Sequence, residues 1–219
     1  MKFSVKARYA SGVLAAFGPL VFLACEAISA TAWTAGIYDY GVNFISDLGT
    51  TVCGSTFSGR VMCSPQHGVM NLGFAVMGVS VAAAVALFAV ALPRGRRILA
   101  TVLSCLLALG MLLVATFHGG IESADNGTIV FHVLGAVVAI LAGNVLGIIT
   151  GANTRELGLP GWFALIAKVL GIVGILSLGG CLLFSSAVFE RMAVYSIFAW
   201  LLTASVLLVR TARIKRFVA

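Results

Sequence analysis

The sequence predicts an all-α membrane protein. The expected fold is a bundle of six transmembrane helices with both termini cytoplasmic and a stapled extracytoplasmic loop after the first helix. Three observations carry this. The 219 residues are 61% hydrophobic and 10% charged, with mean hydropathy +1.11, whereas a soluble domain carries about 25% charged residues. Six apolar runs reach the roughly 20 residues that a helix needs to cross a bilayer. The basic residues cluster in short tracts between those runs.

The runs cover about 10–35, 69–92, 98–117, 129–150, 162–184 and 192–209. A segment in hydrocarbon must satisfy its own backbone hydrogen bonds, so each is expected to be helical. Gly and Ala recur in them, as in "GFAVMGVSVAAA" and "VLGIVGILSLGG". Small residues let helix backbones approach closely, so a compact bundle is expected, read as one integral membrane domain over 1–219. The start "MKFSVKAR", its apolar run and "SATAW" resemble a secretory signal with a cleavage site. Glu26 and the length of the run argue against cleavage, and the segment is read as the first span.

Orientation follows from Lys and Arg. Lys2, Lys6, Arg8, Arg94, Arg96, Arg97, Arg155, Arg210, Arg213, Lys215 and Arg216 fall on one side, with Lys168 able to snorkel to it. Only Arg60 and Arg191 fall on the other. This assigns the plasma (inner) membrane with both termini in the cytoplasm. The same clustering turns the net charge of +7 into a topology signal and excludes nucleic acid as a partner.

The outer side then receives 36–68, 118–128 and 185–191. Within the first segment, Cys53 and Cys63 lie ten residues apart in an oxidising compartment, and a disulfide is expected. The turn-rich "GSTFSGR" between them suits a hairpin. Cys25, Cys105 and Cys181 read as small packing residues within helices. In "NFISDLG", Asp47 either caps a short interfacial helix or re-entrant turn or acts chemically.

Asp39, Asp47, His67, His118, Glu122, Asp125, His132 and Glu190 also gather on this side, including all three histidines. Neighbouring helix ends lie about 8–10 Å apart, so His67, His118 and His132 are candidate ligands for Zn²⁺, which takes imidazole nitrogen and carboxylate oxygen. Without metal, Asp47, His67, Asp125 and His132 are candidates for general acid–base catalysis. Against a metal, the chain lacks H-E-x-x-H and any close His pair. The competing explanation is ordinary loop polarity. Inside the spans, Glu26 is a functional candidate by default, while Asn71 and Asn144 read as bonds between helices.

Beside these residues stand short motifs: "ISDLG" at 45–49, "NLGF" at 71–74, and a polar segment leading to His132. Together they resemble a prokaryotic six-helix membrane family catalogued as a domain of unknown function, the nine-ninety-eight family. The resemblance implies the six-helix architecture and points to Asp47, Asn71 and His132. It brings no reaction. Where that family often has Phe-Pro and a following Asp between the third and fourth helices, this chain has Phe117-His118 and a later Asp125.

Three functional classes remain open at this stage. One is a hydrolase or transferase acting on a lipid-linked substrate at the outer face. Another is a small-solute or ion transporter using Glu26 and Asn144. The third is an accessory or sensor subunit that binds a partner membrane protein through 36–68.

Overall fold

The computed structural model describes residues 4–218, with side chains described for 4–214. Of the orienting basic residues, Lys2 and the side chains of Lys215 and Arg216 lie outside the described residues. The spanning helices are α1 (Val5–Thr31), α2 (His67–Phe88), α3 (Arg94–Thr116), α5 (Ile129–Ala152), α7 (Gly161–Phe184) and α8 (Ala187–Val218). Two short helices, α4 (Ile121–Asp125) and α6 (Thr154–Leu157), lie in connections. Among the described residues, six helices are long and apolar enough to cross a membrane, as the composition demands.

Two helix starts shift from the expected boundaries where charge pairs inside the protein, and α8 also runs on to Val218, past the expected 209. α1 begins at Val5, capped by Ser4 Oγ accepting from Ala7 N. Arg8 is therefore within the helix, where it is buried and donates to the Leu157 carbonyl. The same helix ends at Thr31, so Glu26 lies five residues from the end. That is roughly 7.5 Å at 1.5 Å per residue, shallower than the expected first span implied. α8 begins at Ala187 rather than near 192, because Glu190 and Arg191 find partners in the fold and do not need a water-facing loop. Residues 185–191 are thus not a loop: only Ser185 and Ser186 join α7 to α8. Ser185 makes the reversal in the left-handed region, at φ 48°.

Spanning helices pack on their neighbours in chain order, and α8 returns to α1, closing a ring. α5 also touches α8 directly. The cavity at the centre is therefore walled by α1, α2, α3, α5 and α8, with α7 packed outside the seam. Close approach depends on missing side chains. Gly110 of α3 faces Gly135 of α5, and a Cβ on Gly110 would strike the Gly135 carbonyl and come within 2.8 Å of Ala139 N. Gly174 of α7 presents bare backbone to the Asn144 amide, which donates to the carbonyls of Ile140 (2.9 Å) and Ala193 (3.1 Å). The expected bond between helices is present, from α5 to α8, of a kind contributing about 0.6 kcal/mol in membrane proteins. Cys25 is buried against Gly73, but Cys105 is exposed on the surface of the bundle and is not a packing residue.

Gly110→Val is expected to lower stability by about 1–3 kcal/mol through overpacking. Gly95→Ala in the first turn of the same helix, where a Cβ meets nothing within 4 Å, is expected to be neutral or stabilising. Thermal unfolding of the detergent-solubilised protein checks this; equal midpoints for wild type and Gly110→Val would refute the close approach.

Candidate functional site

The segment between α1 and α2 folds back onto the end of the bundle. Ile45 and Leu48 are apolar and fully buried, so the chain dips between the helix ends. Asp47 Oδ2 accepts from Phe44 N at 2.9 Å, closing a turn that leads into a 3₁₀ helix over Ser46–Gly49. The next contacts join both motif stretches singled out in the sequence. Asn71 Nδ2 donates to the Gly49 carbonyl at 3.2 Å, and a Cβ on Gly49 would lie 2.5 Å from Asn71 Oδ1. Ser64 Oγ donates to the Leu48 carbonyl at 2.7 Å. Of the expected short helix or re-entrant turn, the chain forms a turn leading into a short 3₁₀ helix, and a side chain at position 49 would displace the Asn71 amide.

The expected hairpin is also formed. Strands β1 (Ser55–Phe57) and β2 (Arg60–Met62) pair antiparallel, with Ser58 and Gly59 both at positive φ in the tight turn. The Cys53–Cys63 disulfide closes its base. A closed loop this short contributes somewhat under ~3 kcal/mol in the chain-entropy model. The hairpin swings Arg60 back over the turn. Its Nε donates to Asp47 Oδ2 at 3.0 Å and its Nη2 to Asp47 Oδ1 at 3.2 Å, with the guanidinium 4.6 Å over the Phe44 ring. A bidentate pair fixes geometry as well as charge.

A second anchor lies beside it. Arg191 Nη1 donates to the Asn43 carbonyl at 2.6 Å and Nη2 to Tyr38 Oη at 2.5 Å, with Glu26 at 3.7 Å. Tyr195 Oη donates to the Glu26 carboxylate, 2.8 Å from either oxygen. Burial holds the Tyr38 phenol protonated well above its usual range, so it passes a hydrogen bond on to the Phe44 carbonyl at 2.8 Å. Glu26 therefore sits in a structural ion pair and lines neither of the cavities described next.

Between the turn, the hairpin, α5 and the α7–α8 corner lies a cleft of about 420 Å³. Its polar end holds Asp47, Arg60, His132 and Glu190, and its walls are apolar, among them Val133, Ala136, Ile140 and Leu182. Val133 and Leu182 are 47% and 58% exposed, so the cleft opens sideways on the outside of the bundle. Ser46, His132, Ala136, Ile140 and Glu190 also line the central cavity of about 50 Å³, which is otherwise apolar. These five residues form the partition between the two spaces.

His132 is 7% exposed, and its Nδ1 lies 2.7 Å from the Phe117 carbonyl. A carbonyl only accepts, so Nδ1 carries the proton and Nε2 of the neutral ring keeps its lone pair. Nε2 lies on the side of Gly119, a residue of the cleft wall. Glu190 Oε2 accepts from Ile45 N at 2.5 Å, tying α8 to the turn.

Of the four acid–base candidates, the fold brings Asp47 and His132 to one cleft and leaves His67 and Asp125 out of it. His67 opens α2 with Nδ1 3.1 Å from the Ser64 carbonyl, and Asp125 is exposed on α4. His67, His118 and His132 are the residues expected to converge on a metal. Among the described residues, no three His, Cys, Asp or Glu side chains are grouped to hold an ion. The His67 and His132 rings are each engaged by a backbone carbonyl at Nδ1. His118 is half-buried, and burial followed by the nearby His67 lowers its pKa.

Sequence reasoning did not assign roles to Arg60, Glu190, Arg191 and Tyr195. One signal existed. Arg60 and Arg191 are the two arginines on the wrong side of the charge asymmetry, and Arg191 and Tyr195 share a helix face at i, i+4. Asp47→Ala and Arg60→Ala are each expected to destabilise, with a coupling of about 0.5–3 kcal/mol in a double-mutant cycle. Thermal unfolding measures it; strictly additive effects would show that the pair carries no interaction.

The family model described as Protein of unknown function (DUF998) matches residues 16–207. No curated protein and no solved structure matches the chain. The family match runs from α1 into α8 and takes in the turn, the hairpin and all six spanning helices. The chain belongs to the DUF998 family and is a multi-pass membrane protein built on its six apolar helices.

Proposed function

We propose that the protein takes an amphiphilic, lipid-linked substrate sideways into the cleft and acts on its polar part as a hydrolase or transferase. The observation that carries this reading is the meeting of a lipid-facing apolar groove with a buried imidazole. His132 is oriented by Phe117, and its free Nε2 is in the state of a general base. Glu190 and the Asp47–Arg60 pair are fixed by the re-entrant turn and hairpin, so the polar end needs little rearrangement to receive a head group. Asp47 is then a positioning residue, since Phe44 N and Arg60 occupy its oxygens.

The test is turnover by purified protein in liposomes made from its host membrane's lipids, with products followed by mass spectrometry. His132→Gln is expected to reduce turnover about 10²–10⁴-fold, the usual scale of general acid–base catalysis, while thermal stability stays close to wild type. An unchanged rate would overturn the role of His132.

The proposal also places the cleft at the extracytoplasmic face of the plasma (inner) membrane, with both termini in the cytoplasm. Arg8, Arg94, Arg96, Arg97 and Arg155 lie at the opposite end of the bundle from the hairpin, and the disulfide suits an oxidising compartment. A membrane-impermeant maleimide is expected to label Asp125→Cys in intact cells and Arg155→Cys only after permeabilisation. The reverse pattern would invert the orientation.

A further inference from the structure

The polar end of the cleft offers mostly acceptors. Arg60 donates through Nε and Nη2 to Asp47, and its Nη1 faces the Ser58 carbonyl at 3.5 Å. Its charge is offset by the carboxylate it grips. Asp47 and Glu190 bring two carboxyl groups to a lining that holds this one guanidinium. A carboxyl group has more lone-pair sites than donors in either protonation state. Glu190 uses one of its sites on the N–H of Ile45. His132, more than nine-tenths buried, has Nε2 without a hydrogen-bond partner among the described residues. Lone pairs on Glu190 and His132 thus meet at the same partition, while the donors in the lining are the hydroxyls of Ser46, Ser58 and Ser185, the Cys181 thiol and the N–H groups of Arg60 that Asp47 and Ser58 leave over.

Buried acceptors favour a ligand that brings donors, and an apolar cleft whose guanidinium is already paired disfavours an anion that must shed its water. We infer that the cleft selects amphiphiles whose head is an uncharged hydroxyl-bearing or a cationic amine group, and discriminates against anionic heads. The donor groups face Glu190 and His132, and the hydrocarbon lies along Val133, Ala136 and Leu182 toward the lipid. The inference rests on the cleft being a lipid site, as proposed above, and adds the chemical class of the head.

The test reads binding alone, by native mass spectrometry of the detergent-solubilised protein with three probes of one chain length: dodecylamine, 1-dodecanoylglycerol and dodecanoate. The amine and the glycerol ester are expected to bind at least about tenfold more tightly than dodecanoate. Glu190→Gln should shrink the advantage of the amine. Val133→Trp at the rim, and separately Ala136→Leu at the partition, should weaken all three probes. Equal or tighter binding of dodecanoate overturns the head-group inference and leaves the lipid site standing. Binding of all three unaffected by both wall variants overturns the lipid site itself. Loss of turnover in His132→Gln with probe binding retained separates the catalytic reading from both.

Discussion

The loop face is organised by one buried cation. Arg191 enters the fold in the first turns of α8, where no water is available to solvate it fully. A buried guanidinium is tolerated only with close, well-directed partners. It finds them in three separate parts of the chain: Glu26 on α1, Tyr38 on the loop, and the backbone of Asn43 just before the re-entrant turn. Satisfying this charge therefore draws the loop down onto the bundle and ties α1 to α8, the seam that closes the ring. The aromatic rings of Tyr38 and Tyr40 lie 5.6 and 5.0 Å from the guanidinium and complete its enclosure. Once Asn43 is held, the next residues must dip, and Ile45 and Leu48 fill the space between the helix ends.

Everything at the cleft follows from that descent. Glu190 precedes Arg191 and points the other way around the helix, so the anchor that holds the loop also delivers a carboxylate to the partition. The turn brings Asp47 to the same face, and the disulfide-closed hairpin supplies the arginine that neutralises it. The cleft stays open because α7 packs outside the α5–α8 seam and leaves a sideways gap at the loop end. The bundle elsewhere is dense, with glycines such as Gly110 and Gly135 allowing backbone-to-backbone contact. Low polarity around the partition strengthens each polar interaction there, since little solvent competes.

Much of this architecture was legible in the chain. Six spans follow from composition because lipid offers no alternative to a helix. The hairpin and its disulfide follow from two cysteines flanking a turn-rich stretch, and the re-entrant turn from apolar residues around Ser46 and Asp47. Asp47 and His132 could be named as candidates because each is a polar group set among apolar neighbours near a helix end. Whether three histidines group on one ion depends on which helix ends meet and where each ring turns, which the sequence does not contain. Helix ends at Arg8 and Glu190 were misjudged for a related reason. Charge normally marks the water boundary, but a charge with a partner across the fold can lie inside it.

The sequence by itself determined the solvent of this protein, the number of its helices, the staple of its loop and the set of residues with chemistry to offer. Those properties are local: each depends on a run of apolar residues, a spacing or a turn preference. Tertiary structure decided which of the polar residues are spent on one another. Glu26 and Arg191 are consumed in holding the fold, and Asp47 is consumed by Arg60. Among the described residues of the cleft lining, His132 keeps a nitrogen lone pair on the side of the cleft. That division depends on contacts between residues as far apart as 26 and 195, where only the closed ring of helices brings donor and acceptor within hydrogen-bond distance.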